Sequence, residues 1–356
     1  MPDLTSAEAI SLLFELDACP VIGVNGRTVQ FLNAAARAYW PEGMRGSAIR
    51  KLLPAHIALH QANAFLGTVR LRNVPHAATV TTMPGLRLFR LEPVHADRDF
   101  PELLVPDELL SAELGLESAF FSAHAAEQED LSVRHYAARL ERTSDQLRRW
   151  VQNAGLLQSL RRGEARAPDR PLDCAAMLAA ILETTEPMLA RRGIRLAITM
   201  PESPCRVAIS PELLEALVLN LVSNAVKSCS GGGTISVSLV RGTHDVHLSV
   251  YDSGAGFAEG VLPEVFRAWR EGNLPRCAKP HAGYGLPVCF AVADEVGGAI
   301  VIENNRGSGA CVHVYLPLSR STRTVLNRAE SLDTHALAER CRIGLADALN
   351  EADDLR

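Results

Sequence analysis

The sequence predicts an α+β protein built from several domains. Short alternating stretches typical of strands come first, a long helical stretch with heptad spacing follows, and a block in which strands and helices interchange comes last. Strands repeat with a period of two residues and helical faces with a period of 3.6, so these patterns indicate three different local structures. With a C-terminal tail, the predicted parts are residues 5–95, 104–163, 170–319 and 320–356.

The composition narrows the classes of function. The 356 residues carry 36 Lys and Arg against 41 Asp and Glu, a net charge of −5, and we therefore expect no nucleic acid partner. No apolar stretch reaches the ~20 residues of a membrane-spanning helix. The first residues carry acids where a signal peptide has Lys or Arg, and the 8 cysteines include no C-x-x-C pair. We expect a cytoplasmic protein with reduced thiols.

The N-terminal domain, residues 5–95, is predicted to be a small mixed sheet with helices on one side. The stretch PVIGVNGRTVQFLNAAA indicates a strand, a tight turn at Asn25 and Gly26, a second strand and a helix. Alternation at 76–83 and 86–93 predicts two further strands. The order of elements resembles a PAS sensor domain, and an α+β domain of another kind is the alternative.

The helical segment, residues 104–163, is predicted to be an antiparallel hairpin of two helices. Apolar residues of the second helix alternate steps of four and three, which is the spacing of a coiled-coil seam. A lone hairpin buries such a seam poorly, whereas two copies form a four-helix bundle, so we expect a homodimer through this hairpin. The seam consists of Tyr136, Leu140, Thr143, Leu147, Trp150, Ala154 and Leu157.

The α/β domain, residues 170–319, is predicted to be a layer of helices on one face of a mixed sheet. Its strands, such as TISVSLV, HLSVYD, GAIVIENN and CVHVYLP, outnumber its helices, which favours an α/β sandwich. The tail, residues 320–356, contains one weakly amphipathic helix that we expect to dock on the body of the protein or on a partner. Its apolar stripe consists of Leu337, Cys341, Leu345 and Leu349.

Four patches in the α/β domain carry the chemistry. On a predicted helix, Asn220, Asn224 and Lys227 are separated by four and three residues and share one face. Amide oxygens can ligate Mg²⁺ and an ammonium group binds phosphate. For this patch alone, a helix whose asparagines cap neighbours or face solvent is the alternative.

The other three patches follow in order as VYDSGAGF, VFRAWREGN and HAGYGLPV. The first ends a strand in Asp252, and its glycines allow the backbone to approach a ligand closely. The last places Gly283 and Gly285 directly before a helix, whose N-terminus suits a polyphosphate. Together the four patches indicate a nucleotide site.

The four patches resemble the boxes of the ATPase domain of sensor histidine kinases, the GHKL-type fold shared with gyrase. NLVSNAVK matches the N box, DSGAG the G1 box, VFRAW the F box and GYGLP the G2 box. This resemblance implies ATP and Mg²⁺ as cofactors, with Asp252 on the adenine amino group and with Asn220 and Asn224 on the metal. The implied nucleotide-binding residues are Asn220, Asn224, Lys227, Asp252, Gly254, Gly256, Gly283, Gly285 and Leu286.

The resemblance also implies a reaction and a partner. The family transfers the γ-phosphoryl group of Mg-ATP to a histidine and then to an aspartate of a response regulator. Related ATPases that hydrolyse ATP directly carry a Glu at the position of Asn220, and without that base phosphotransfer is favoured over hydrolysis. Pro287 replaces a third glycine and Ser228 an aromatic residue of the family pattern, and we expect nucleotide binding to survive both changes.

The phosphoacceptor is where the chain departs most from the family. The best register of the first hairpin helix, SAELGLES, places Ala112 at the histidine position and Glu113, the candidate acid/base, after it. Alanine has no nucleophile, so phosphorylation there is impossible. In a shifted register His124 is the better candidate phosphoacceptor and His135 the weaker, with a solvated surface histidine as the alternative for both.

Two other functions compete with an autophosphorylating kinase. Ala112 favours a pseudokinase, which is an ATP-binding dimeric scaffold that modulates a partner without phosphorylating itself. The second is an ATPase that phosphorylates Ser or Thr of a partner, as related anti-sigma kinases do. The long heptad hairpin argues against this second alternative.

Overall fold

A computed structural model describes most of the chain. The first helix of the predicted hairpin, with Ala112, Glu113 and His124, lies outside the described residues, as do Gly283 and the VFRAW patch. The described residues are 6–83, 85–94, 131–164, 170–229, 232–257, 284–304, 309–320 and 333–349.

Helices and strands both occur throughout these residues. The described helices are α1 (Ser6–Phe14), α2 (Ala34–Arg37), α3 (Ala55–Ala58), α4 (Leu131–Arg161), α5 (Cys174–Ala190), α6 (Pro211–Ser228), α7 (Gly285–Glu295), α8 (Thr334–Gly344) and α9 (Ala346–Leu349). The described strands are β1 (Val21–Asn25), β2 (Thr28–Leu32), β3 (Ala64–Leu71), β4 (Val74–Met83), β5 (Leu86–Pro93), β6 (Leu172–Asp173), β7 (Ile194–Thr199), β8 (Arg206–Val207), β9 (Gly233–Arg241), β10 (Asp245–Asp252), β11 (Ala299–Asn304) and β12 (Ala310–Pro317).

The N-terminal domain contributes five antiparallel strands in the order β2-β1-β5-β4-β3. The predicted β1–β2 hairpin is confirmed, but its turn lies one residue later than predicted. Asn25 pairs with Thr28, so the loop is Gly26 and Arg27, and of these only Gly26 has a positive φ, 57°. Sequence alternation did not indicate β3, because this strand is buried along most of its length.

The α/β domain has the predicted layers. Its strands lie in the order β11-β12-β10-β9-β7, antiparallel except for the parallel pair β7–β9, and the sheet is therefore mixed. Helix α6 begins with Pro211 after Ser210, whose side-chain oxygen accepts a hydrogen bond from the Leu213 N–H at 3.2 Å. This cap fixes the start of the helix that carries the first chemical patch. The α+β fold class is confirmed.

The two domains share one sheet rather than forming the two separate sheets that the sequence predicts. Strand β3 pairs antiparallel with β11, with Leu66 opposite Ile302 and Gly67 opposite Val301, and the result is a ten-stranded sheet. A Cβ on Gly67 would lie 2.5 Å from Ile57 Cδ1 and 3.3 Å from the backbone oxygen of Ile300. The missing side chain therefore permits this close approach between the domains.

Helix α4 and the tail pack on the helical face of the α/β domain. The second half of α4 buries Ala154, Leu157 and Leu160 there, and the tail buries Leu337 and Cys341 in the same core. Of the two docking sites expected for the tail, the structure shows the body of the protein. Among the described residues no helix combines the length and the apolar content that crossing a bilayer requires.

Candidate functional site

Helix α6 places the residues of the first patch beside the start of α7. Asn220 is buried, and Asn224 and Lys227 are half-buried. A Cβ on Gly285, the first residue of α7, would lie 3.1 Å from Asn220 Oδ1 and 3.4 Å from Asn224 Oδ1. The structure thus brings the first patch and the described part of the fourth into contact, although sixty residues separate them in the sequence.

The second patch forms a tight loop after β10. Asp252, the last residue of β10, is buried, and its Oδ1 accepts a hydrogen bond from the Gly254 N–H at 3.0 Å. A Cβ on Gly254 would lie only 2.1 Å from the backbone oxygen of Ser228 at the end of α6, so this position requires glycine. The Ser228 hydroxyl accepts a hydrogen bond from the Gly256 N–H at 3.4 Å. Ser228, which stands where the family pattern has an aromatic residue, therefore supports this loop.

A pocket of about 370 Å³ lies between α6, β10, β12 and α7. Its walls are mainly apolar and one buried carboxylate, Asp252, lies among them, which is the usual character of a small-molecule site. A flat base with an amino group that donates to this carboxylate fits such a pocket. The lining residues are Leu221, Asn224, Ala225, Lys227, Ser228, Val250, Asp252, Ala255, Gly256, Phe257, Leu286, Ala310 and Val312.

Two residues of α4 form hydrogen bonds with the side-chain amide of Asn220. Arg149 donates from Nη2 to Asn220 Oδ1 at 3.0 Å and from Nη1 to the Ser223 hydroxyl at 2.7 Å. Asn153 exchanges two hydrogen bonds of 3.1 Å each with the same amide. The oxygen that the resemblance assigns to Mg²⁺ is therefore bound by two donors from α4.

An acidic residue of the tail forms an ion pair with Lys227. Asp347 Oδ2, on α9, lies 3.3 Å from Lys227 Nζ and 3.3 Å from Arg149 Nη1. Burial lowers the pKa of the Arg149 guanidinium, and the charge of Asp347 acts against that shift. Between these groups and Gly285 the remaining space is about 30 Å³, which is room for only a few water molecules. Among the described residues, side chains of α4 and α9 therefore fill the end that the resemblance assigns to the phosphates, whereas the end at Asp252 keeps its pocket.

Further contacts hold α4 against the start of α7. The rings of Trp150 and Tyr284 meet edge to face with centroids 5.6 Å apart, and burial raises the pKa of Tyr284 to about 12. Asn224 lines both the base pocket and the closed space, and its Nδ2 is buried with no hydrogen-bond partner among the described residues. An acceptor such as a phosphate oxygen would satisfy this donor, and the residues therefore fit a nucleotide once α4 and α9 release them.

Sequence reasoning missed the residues that close the site. Arg149 and Asn153 lie on the heptad helix, where polar residues are expected on every outer face, and Asp347 lies in the tail. No spacing distinguishes them from solvated charges. The one available indication is the tail's apolar stripe, which predicts docking but not the place.

Comparison with known proteins gives a match to the α/β domain. Residues 209–320 match the family described as histidine kinase-, DNA gyrase B- and HSP90-like ATPase. The signal transduction histidine-protein kinase AfsQ2 of Streptomyces coelicolor is 34% identical over 109 residues, which are 31% of this chain and 20% of AfsQ2. The sensor histidine kinase ZraS of Klebsiella oxytoca is 29% identical over 181 residues, 51% of this chain and 37% of ZraS.

The match to these curated relatives covers well under two thirds of their length. Among solved structures, the histidine kinase AdeS of Acinetobacter baumannii is 17% identical, with a TM-score of 0.43. That similarity covers 61% of this chain and all of the AdeS chain.

Proposed function

Residues 209–320 belong to the histidine kinase-, DNA gyrase B- and HSP90-like ATPase family, and on this premise we propose that the chain is a sensor histidine kinase-type protein. In this function it binds Mg-ATP and transfers the γ-phosphoryl group to a histidine, from which the phosphate passes to an aspartate of a response regulator. The relatives named as histidine kinases support the proposal. The observation that carries it is the pocket in which Asp252 lies opposite α6 and the start of α7.

Asp252 selects the base. Its carboxylate accepts a hydrogen bond from the amino group of adenine, while Val250, Leu286 and Val312 pack against the ring. Guanine has a carbonyl oxygen at the corresponding position, and two acceptors facing each other in a buried pocket repel. The pocket therefore favours ATP over GTP.

The phosphates bind beside the base pocket, along the face of α6 that carries Asn220, Asn224 and Lys227. The oxygens of Asn220 and Asn224 would hold Mg²⁺, and Lys227 would bind a phosphate group, once Arg149, Asn153 and Asp347 release them. Bound there, Mg²⁺ supplies positive charge that neutralises the phosphates. Because Asn220 is not a Glu, no carboxylate at this position activates water, and transfer to a protein acceptor is favoured over hydrolysis.

A second candidate function is an ATP-binding scaffold without autophosphorylation. Ala112 stands at the position where the family has its phosphoacceptor, and this favours the scaffold. Both candidates share the nucleotide site and the homodimer expected through the helical hairpin. They differ only in whether phosphate becomes covalently attached to this chain.

Exchanging Asp252 for Asn tests the nucleotide site. Because hydrogen bonds to charged groups are worth about 1.5–3 kcal/mol, we expect Asp252→Asn to weaken binding of a non-hydrolysable ATP analogue about tenfold or more in calorimetry. Asp245→Asn is the matched control, since Asp245 lies at the other end of the same strand. Equal affinity of Asp252→Asn and the wild type would show that the pocket is not the base site.

Labelling with γ-³²P-ATP distinguishes the candidate functions. A phosphohistidine is acid-labile and base-stable, and we expect label of this kind that disappears in His124→Ala. Label that resists acid would instead indicate a Ser- or Thr-directed kinase. Nucleotide binding without any label, with response regulators present, would contradict the kinase and leave the scaffold.

A further inference from the structure

Three side chains that can ligate metals converge where the N-terminal domain meets the α/β domain. His60 follows α3, Glu303 lies on β11 and His313 on β12. His60 Nε2 is 2.8 Å from Glu303 Oε2, and His313 Nε2 is 3.3 Å from Glu303 Oε1. One ligand atom from each residue lies within 4.8 Å of the others. This His60–Glu303–His313 cluster has no part in the nucleotide site.

We propose that this cluster binds a divalent first-row transition metal ion, with Zn²⁺ as the ion to test. Zinc takes imidazole nitrogen and carboxylate oxygen at about 2.0–2.2 Å, so neighbouring tetrahedral ligands lie about 3.4 Å apart. The 3.3 Å contact from His313 is close to that separation, whereas the 2.8 Å contact from His60 is shorter and goes to the other carboxylate oxygen, so side-chain rotations are needed to bring one ligand atom of each residue around an ion. Mg²⁺ and Ca²⁺ prefer oxygen ligands alone, and two imidazoles therefore favour zinc and its neighbours.

The groups behind His313 hold its ring in the orientation that ligation requires. His313 Nδ1 lies 3.0 Å from His247 Nε2 and 3.3 Å from the Ser249 hydroxyl, both on β10. Partners at one ring nitrogen fix the tautomer and leave the other nitrogen for the metal, as is usual for ligating histidines. The nitrogen left over, Nε2, is the one that faces Glu303.

The cluster is shielded and still accessible from solution. The side chains of His60, Glu303 and His313 are 12%, 18% and 15% exposed, and they line an open pocket of about 350 Å³. Such a pocket gives an ion a path of entry and leaves room for water as a fourth ligand. The pocket also contains His56, whose Nε2 is buried without a hydrogen-bond partner among the described residues.

The alternative is a purely structural cluster of ion pairs. What favours a metal is the concentration of donors: His56, His60, His247 and His313 are 4 of the 11 histidines of the chain, and they surround this one junction. A bound ion would join the segment after α3 to two strands of the α/β domain, beside the β3–β11 pair. It would thus fasten the two domains to each other.

Zinc titration of the full chain tests the proposal without nucleotide. After treatment with a chelator and dialysis, the protein is titrated with ZnCl₂ in calorimetry and in competition with a chromophoric chelator. We expect one ion per chain, and a loss of affinity of about 100-fold in His60→Ala and in Glu303→Gln. Ser249→Ala loses about tenfold, as expected for a residue that positions a ligand. His244→Ala, at an exposed histidine of the β9–β10 turn, is the matched control and binds as the wild type does.

Cobalt provides a second measurement that needs no variant. Co²⁺ added to the metal-free wild type is expected to give the visible absorption of a protein site with nitrogen and oxygen ligands, and Zn²⁺ is expected to displace it. The spectrum of aqueous Co²⁺ alone would overturn the proposal. So would zinc affinities of His60→Ala and Glu303→Gln equal to that of the wild type, because the cluster would then be structural only.

Discussion

Asp347 places a negative charge where the proposed function requires the phosphates of ATP. Its Oδ2 contacts Lys227 and Arg149, while its Oδ1 is buried without a hydrogen-bond partner among the described residues. Like a phosphate group, this carboxylate offers anionic oxygens to the two cations. Under the proposed function, the tail and the nucleotide would therefore compete for Lys227.

Removing this charge should favour the nucleotide. We expect Asp347→Asn to bind a non-hydrolysable ATP analogue several-fold to about tenfold more tightly than the wild type, since the competing carboxylate and its ion pairs with Lys227 and Arg149 are lost. Calorimetry with Mg²⁺ present measures the change. Glu339→Gln is the matched control, because Glu339 lies in the same tail but its described ion pairs are with Arg148 of α4 and Arg342 of the tail. Unchanged affinity in Asp347→Asn would show that the tail does not compete.

At the scale of elements, helix α4 has two different surfaces. Its C-terminal part packs on the α/β domain, but Leu140 and Leu147, nearer its start, are 45% and 38% exposed. Both belong to the predicted heptad seam, together with the exposed Thr143. Large apolar residues that repeat on one exposed helix face are typical of a surface that another helix covers.

We expect the predicted homodimer to form through this exposed face of α4. We expect the wild type to sediment as a dimer and the double variant Leu140→Lys, Leu147→Lys as a monomer, because two charges in a helical seam oppose association. Val240→Lys is the matched control, since Val240 is equally apolar and 51% exposed on a strand of the α/β domain. A wild type that remains monomeric at all concentrations, or a double variant that still dimerises, would contradict the prediction.

The elements also show what the sequence can and cannot predict. Local periodicity predicts that Asn220, Asn224 and Lys227 share one helix face, and the structure has this arrangement. It also predicts that a strand ends at Asp252, as the structure shows. The contacts that close the site join α6 to residues 71, 67 and 120 positions away. Such contacts depend on how whole helices pack, and no spacing within either segment encodes them. For the same reason the β3–β11 pair could not be predicted.

At the scale of the whole molecule, the two domains share their cores. Val301 of β11 belongs to the apolar cluster of the N-terminal domain, and Leu66 of β3 belongs to that of the α/β domain. Beside them the buried Ile300 N–H donates to the Thr68 hydroxyl at 2.9 Å. The junction is thus a packed and hydrogen-bonded interior, unlike a flexible linker.

Exchanging Thr68 for Val tests the contribution of this junction. Valine keeps the shape of threonine but leaves the Ile300 N–H without its acceptor, at a cost of about 1–3 kcal/mol in the free energy of unfolding. Urea unfolding measures the loss. Thr79→Val, on the neighbouring strand β4, is the control and is expected to change stability little. Equal stabilities of the two variants would show that the junction contributes nothing measurable.

The shared sheet also protects each domain from association with other chains. In the described part of the chain the ten strands end at β2 and β7, and separating the domains would create two further edges, at β3 and β11. Exposed N–H and C=O groups along an apolar strand are a template on which other chains add strands. Each domain therefore covers an edge strand of the other. A fragment of either one would need a substitute cover, such as a charged residue on its open strand, to stay monomeric.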